Sequence, residues 1–186
     1  MKEMVRMVVT LTILCVLSGG VLSFLKTYTA PLIESQELNL VQGPAIASIF
    51  PSYTNNPVAE RKTFQVDSTS VVIFPIKEGD TLTGVAMEQT SPGYSGALGA
   101  MVGFAIESDT IVGVNVTLFK DTAGIGSRVY DETFRKQFNS LQANEDLSSV
   151  DTLSGATVSS SSFINSVKKA ATIYLKLKQQ MIADFS

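Results

Sequence analysis

The residues Asp151-Thr-Leu-Ser-Gly-Ala-Thr-Val-Ser-Ser-Ser-Ser162 place hydroxyls and small side chains directly in front of a helical pattern. The first amides of a helix lack intrahelical acceptors, and the helix dipole adds partial positive charge there. Phosphate and other anions gather at such ends. Gly155 and Ala156 let a ligand come close to the backbone, and Thr157 brings a hydroxyl to the same point. Two readings are open: a phosphate-bearing ligand held at, or bonded through, Thr157, or an ordinary Ser/Thr cap in a loop.

Two further segments are rich in glycine, Pro92-Gly-Tyr-Ser-Gly-Ala-Leu-Gly99 and Lys120-Asp-Thr-Ala-Gly-Ile-Gly126. Either can wrap a flat ligand or present N–H groups to it, and either can equally be a tight connection in a sheet. The second lacks the glycine spacing of a Walker loop or a dinucleotide-binding fingerprint.

Composition narrows the chemistry. The chain has no histidine, so the usual general base and the commonest transition-metal ligand are missing. A serine nucleophile among Ser159–Ser162 would have no base at a suggestive spacing. The formal net charge is −3, which speaks against nucleic acid as a partner. Cys15 is the single cysteine, so an internal disulfide is impossible and no zinc or iron–sulfur pattern exists. Redox chemistry in this chain requires an organic cofactor, and no independent catalytic constellation is expected.

The elements that must position these residues start with a membrane segment. Met7 to Leu25 carries no charge and, as a helix, spans roughly the hydrocarbon core. Lys2 and Arg6 precede it and Lys26 follows, which favours a cytoplasmic N-terminus. A cleaved signal peptide is the competing reading, but the apolar run resumes after Ser18-Gly19-Gly20. Lipidation of Cys15 is disfavoured by the bulky Thr12-Ile13-Leu14 before it; a membrane-buried thiol fits better. The expected organisation is a transmembrane anchor over 1–26 and an extracytoplasmic domain over 27–186.

Residues 27–50 are mildly helical, with Pro31 and Gly43-Pro44 as punctuation, and Pro51 to Pro57 reads as a loop. Val71–Phe74 and Gly84–Met87 flank a turn at Glu78-Gly79-Asp80. Val102–Ile106 and Ile111–Leu118 flank another at Ser108-Asp109. In the last of these, Val112, Val114, Val116 and Leu118 alternate with Gly113, Asn115 and Thr117, the mark of a half-buried antiparallel strand. Helix returns at about Tyr130 to Phe138 and from about Val158 onward. There Phe163, Val167, Ala170, Tyr174, Leu177 and Met181 form one apolar stripe, with Lys168, Lys169, Lys176 and Lys178 mainly off it. The lysines read as solvated charges rather than phosphate partners. The fold class is α+β: a single N-terminal transmembrane helix, then an antiparallel sheet with packed helices.

The order of these pieces carries a resemblance. Gly93-Tyr94-Ser95-Gly96, Met101-Val102-Gly103-Phe104, Lys120–Gly126, Phe134-Arg-Lys-Gln-Phe138 and Asp151-Thr-Leu-Ser-Gly-Ala-Thr157 resemble the covalent FMN-binding domain family. With the short length and single anchor, the chain looks like the G-type component of Rnf complexes, membrane-bound ferredoxin:NAD oxidoreductases that move ions. The C-type component of sodium-pumping NADH:quinone oxidoreductase (NqrC) is similar.

The resemblance implies an electron-transfer subunit with covalent FMN, attached through phosphate to Thr157 by a separate flavin transferase. Ser154, Gly155 and Ala156 would shape the attachment turn, and Lys120, Thr122, Gly124 and Gly126 would contact the isoalloxazine or ribityl part. The implied partners are the other subunits of an Rnf-type complex and the lipid bilayer of the cell (inner) membrane. One departure stands out: the family loop reads His-Lys-Glu-Thr-Pro-Gly-Leu-Gly, and this chain has Phe119, Asp121 and Ala123 at three of those positions. From other classes, a pilin-like protein is weakened by the absence of acid within Met7–Leu25, and a flavin-free binding module keeps the same fold.

Overall fold

The computed structural model describes residues 1–67, 69–119 and 126–185, apart from the Glu34 side chain. It divides into two compact units, Met1–Leu40 and Val41–Ser186.

The first unit is dominated by helix α1, Lys2–Glu37. Leu11, Leu14, Leu17, Leu22 and Phe24 are all exposed on it. A helix that shows apolar side chains to its surroundings on every face belongs in lipid or against another protein. It is long and apolar enough to cross a membrane, with mean hydropathy reaching 2.3. Its hydroxyls are satisfied internally: Thr10 Oγ1 donates to Arg6 O and Thr12 Oγ1 to Val8 O, each at 2.8 Å. Such back-bonding removes the cost of a polar group in hydrocarbon. Pro31 does not end the helix as expected, because it lies inside α1. Proline's fixed φ is itself helical, so its cost is one lost bond and a local clash, not an obligatory stop.

In the second unit, Gly43-Pro44 does mark a boundary. It opens α2, Gly43–Ile49, with proline in the first turn where its missing N–H is not needed. Five strands follow: β1 Lys62–Val66, β2 Thr69–Glu78, β3 Thr81–Pro92, β4 Ala97–Ala105 and β5 Ile111–Phe119. They form one antiparallel sheet in the order β1-β2-β3-β4-β5. The two expected hairpins are present, with Glu78 opposite Thr81 and Val102 opposite Val114. Strand β1 has no counterpart in the sequence reading, because Lys62-Thr-Phe-Gln-Val66 is short and buries only Phe64 and Val66. Beyond β1, the edge of β2 is covered by the 51–57 loop: Asn55 Nδ2 donates to Pro75 O and Lys77 N donates to Asn55 Oδ1, both at 3.0 Å. Pro75 is tolerated there because a side chain, not a strand, completes the edge.

Strict alternation along β5 is broken. The pairing with β4 shifts between Gly99 and Ala100 and between Gly103 and Phe104, and Gly113 is buried. Both sheet faces are covered, so the apolar and small faces of β5 are alike in burial. On one face α2 comes so close that a Cβ at Gly103 would lie 2.5 Å from Ile49 Cγ2 and 2.6 Å from Phe50 Cε2. Glycine there makes room for a helix rather than a turn.

The other face carries α4, Thr157–Phe185. The entire expected stripe from Phe163 to Met181 is buried. Tyr174 stacks on Phe104 with centroids 4.5 Å apart, and its hydroxyl donates to Asp109 Oδ1 at 2.6 Å. Asp109 also meets Lys178 Nζ at 2.6 Å. These partners hold the Asp109 carboxyl below its usual range, the Lys178 hydrogen bond first and the Tyr174 hydroxyl next. Burial pushes the Tyr174 phenol up.

A depressed carboxyl pKa contributes stability that is present above the unfolded value of 3.8 and disappears as pH falls through the folded one. Thermal melts of Asp109→Asn, which keeps a side chain suited to the left-handed φ of 55°, should therefore lose less stability than wild type between pH 5 and pH 2. Parallel curves for the two proteins would show that Asp109 makes no such contribution.

Candidate functional site

Helix α4 runs in the same direction as β4. Ser166 Oγ donates to Leu98 O at 3.3 Å, and two turns later Tyr174 Oη reaches Ala105 O at 3.3 Å. The N-terminal turns of α4 thus project past the start of β4. The 93–96 turn and the end of β5 lie at this same end of the sheet, since Pro92 pairs with Ala97 and Leu98 with Phe119.

A cluster of phenylalanines sets the position of the helix start. A 3-10 turn, Gly126–Tyr130, leads to the short helix α3, Glu132–Lys136, which is capped by Asp131 Oδ1 accepting from Thr133 N at 2.9 Å. Phe134 and Phe138 meet each other at 5.6 Å, and both meet Phe163 of α4, at 5.8 and 5.7 Å. All three are essentially solvent-free. Between them Gln137 Oε1 accepts from Asp151 N at 2.8 Å, fixing the strand of chain that enters the turn. The spaced phenylalanines seen in the sequence are therefore the packing that holds the first turns of α4.

The turn itself is small and tightly bonded. Ala156 N donates to Leu153 O at 2.9 Å, and Leu153 N donates to Ser160 Oγ at 3.1 Å. The Ser160 hydroxyl in turn donates to Ala156 O at 2.9 Å. Gly155 has φ +78°, a left-handed conformation that side chains rarely adopt. A Cβ there would meet only Arg128 Nη1, at 3.8 Å, so conformation, not space, demands glycine. Arg128 Nη1 donates to Ser154 O, clasping the turn from the 3-10 segment. Thr157 is the first residue of α4 and is exposed; its hydroxyl has only a 3.5 Å bond to Leu153 O. That bond is at the limit of hydrogen bonding, so the oxygen is open to other chemistry.

Ser154, Gly155, Ala156 and Thr157 thus come together on one turn, with Ala156 buried and the others exposed. Gly126 is buried at the start of the 3-10 turn. Lys120, Thr122 and Gly124, together with Asp121 and Ala123, lie outside the described residues. Phe119, which stands where the family has histidine, packs edge-on against Tyr130 with centroids 5.5 Å apart. Burial pushes the Tyr130 phenol up. The first glycine segment is a tight hairpin, with Gly93 N donating to Gly96 O at 2.7 Å and Ala97–Gly99 already in β4. Lys168 pairs with Asp146, and Lys169 Nζ donates to Thr90 O at 3.0 Å.

Sequence reasoning missed Arg128, Ser160 and Gln137. Nothing in their spacing marks them, because each acts across a fold contact. Among the described residues no three His, Cys, Asp or Glu side chains gather to hold a metal ion.

Comparison with known proteins bears on this same stretch. Residues 93–172 match the FMN-binding domain family. Along most of its length the chain is homologous to the G-type component of ion-translocating oxidoreductase complexes. The Methanosarcina acetivorans protein is 24% identical, with 91% of this chain and 93% of the relative covered. The Cronobacter sakazakii protein is 25% identical, covering 93% of this chain and 91% of the relative. Among solved structures, the crystal structure of Shewanella oneidensis NqrC has the same fold, with a TM-score of 0.53 at 18% identity over 71% of this chain and 69% of that one.

The FMN-binding segment contains both glycine segments, the phenylalanine cluster and the Ser154–Thr157 turn. The residues present suit a phosphate-bearing cofactor. Gly155 gives the turn its left-handed bend, the exposed Thr157 hydroxyl stands at the first turn of a long helix, and a guanidinium lies against the turn.

Proposed function

We propose that this chain is an FMN-carrying electron-transfer subunit of a membrane-bound, ion-translocating oxidoreductase complex of the Rnf type. The flavin is joined through its phosphate to Thr157 Oγ1. The observation that carries this reading is the exposed, weakly bonded Thr157 hydroxyl at the start of α4, behind a left-handed glycine and inside the segment that matches the FMN-binding domain. The Rnf G type is preferred to the Nqr C type because the relatives matched over about nine-tenths of the chain are G-type components. The likeness to NqrC concerns the fold.

When bound, the flavin supplies the one- and two-electron chemistry. The chain's own residues hold and orient it. Thr157 is consumed as a linkage and makes no nucleophile for substrate. The first-turn amides of α4 face the remaining phosphate charge. Ser154, Gly155 and Ala156 shape the turn, and Lys120, Thr122, Gly124 and Gly126 contact the isoalloxazine or ribityl portion. The edge-packed Phe119 and Tyr130 give this end of the sheet an apolar, aromatic border in place of the family's histidine. Attachment is the work of a separate flavin transferase, and the electron donor and acceptor are other subunits of the complex.

In this reading α1 is retained as an uncleaved anchor, with its N-terminus in the cytoplasm and the flavin domain outside. Lys2 and Arg6 before the apolar run and the single Lys26 after it support that orientation. A periplasmic reporter joined after Ser186 should be active; activity of a cytoplasmic reporter at the same place would reverse the orientation. The reading as a whole is tested by the intact mass of full-length protein co-expressed with a flavin transferase. The expected mass exceeds that of the polypeptide by one FMN less water, and the adduct maps to the peptide containing Thr157. A mass equal to the amino acids alone overturns it.

A further inference from the structure

We propose that Arg128 is a positioning residue for the phosphodiester at Thr157, an inference that rests on the attachment reading above. The guanidinium belongs to the 3-10 turn Gly126–Tyr130, yet its Nη1 donates to Ser154 O, in the turn that opens α4. The same nitrogen lies 3.8 Å from the place a Cβ would take at Gly155. Thr157 follows two residues later, so a permanent positive charge rests against the backbone that presents its hydroxyl. Among the described residues, no carboxylate lies within ion-pair distance of Arg128. The other lysine charges nearest the sheet are engaged elsewhere: Lys168 with Asp146, Lys176 with Asp67 and Lys178 with Asp109.

Arginine suits a double task at this point. Its planar fork carries five N–H donors, and one bond to Ser154 O leaves the others for a second acceptor. A phosphodiester keeps a single negative charge and two non-bridging oxygens, the acceptor that a guanidinium fork matches best. Lysine offers the charge without the fork, so it can serve the carbonyl or the phosphate but is poorly arranged to serve both. One group thereby orders the turn before the flavin arrives and neutralises the phosphate afterwards.

The test uses the full chain co-expressed with limiting flavin transferase, as wild type, Arg128→Ala, Arg128→Lys and Thr157→Ala. Attachment is followed by intact mass, and the phosphorus environment by 31P NMR of the flavinylated protein. Because Arg128 is exposed, the variants should melt close to wild type, which a thermal scan verifies. Arg128→Ala should take up flavin about tenfold more slowly, the scale of one charge-assisted hydrogen bond, with Arg128→Lys between. In both variants the 31P resonance should move from its wild-type position.

Slow attachment in Arg128→Ala with an unmoved 31P resonance makes Arg128 a clasp of the turn alone and overturns the phosphate contact. A wild-type rate together with an unmoved resonance overturns the proposal entirely. A wild-type chain that gains no mass, or a Thr157→Ala chain that gains the full mass, instead overturns the attachment reading beneath it.

Discussion

Thr157→Ala should give a folded chain that never acquires covalent flavin. The hydroxyl is exposed, and its one hydrogen bond, to Leu153 O at 3.5 Å, is too long to hold the turn. The turn is secured by other groups: Ser160 Oγ, the Ala156 amide and Arg128. Truncation should therefore change stability by no more than about 0.5 kcal/mol, as for an ordinary surface site. Attachment, in contrast, depends wholly on that oxygen. In-gel flavin fluorescence should vanish while the circular dichroism melt stays in place. Thr157→Ser retains a hydroxyl at the same position and should retain fluorescence. Fluorescence that survives in Thr157→Ala places the linkage elsewhere.

Phe163→Ala should be the most damaging core change near the site. Phe163 is fully buried and touches Phe134 and Phe138, which touch each other. Removing a buried phenylalanine ring costs about 3–5 kcal/mol, from lost burial and from the cavity left behind. In a chain of this size each kcal/mol lowers the melting temperature by about 2–4 °C, so a fall of roughly 10–15 °C is expected. The effect should also reach the flavin. The three rings bind α3 to the opening turns of α4, and Gln137 between them holds Asp151 at the entrance to the turn. Below the melting temperature, Phe163→Ala should still accept flavin, but more slowly than wild type. A melting point within about 2 °C of wild type would show that the neighbouring rings close the gap.

Much of the architecture was legible in the residues. Uncharged Met7–Leu25 announced α1, and the turn residues at 78–80 and 108–109 announced both hairpins. The stripe from Phe163 to Met181 announced the buried side of α4. Each of these signals is local and repeats along one element, so it survives without knowledge of neighbours. The failures share the opposite character. Strand β1 is too short to show a period, and its place is set by pairing with β2. Pro31 passes through α1 because a proline's local cost does not by itself terminate a long helix. The 93–96 segment looked like a ligand loop until pairing across Pro92 and Ala97 made it a hairpin turn. The small residues of β5 were assigned to an open face, but α2 covers that face through contacts at Gly103 and Gly113.

The site divides in the same way. Sequence alone determined the chemistry on offer: a threonine hydroxyl behind glycine at a helix start, no histidine, and an apolar helix ahead of an α+β domain. These are properties of residue types and short spacing, fixed before the chain folds. Tertiary structure alone decided which groups meet at that hydroxyl. It brought the guanidinium of Arg128 to the carbonyl of Ser154, 26 positions away, and Ser166 to the carbonyl of Leu98, 68 away. Contacts at such separations depend on how the sheet, the phenylalanine cluster and α4 pack against one another, and no periodicity along the chain encodes that packing.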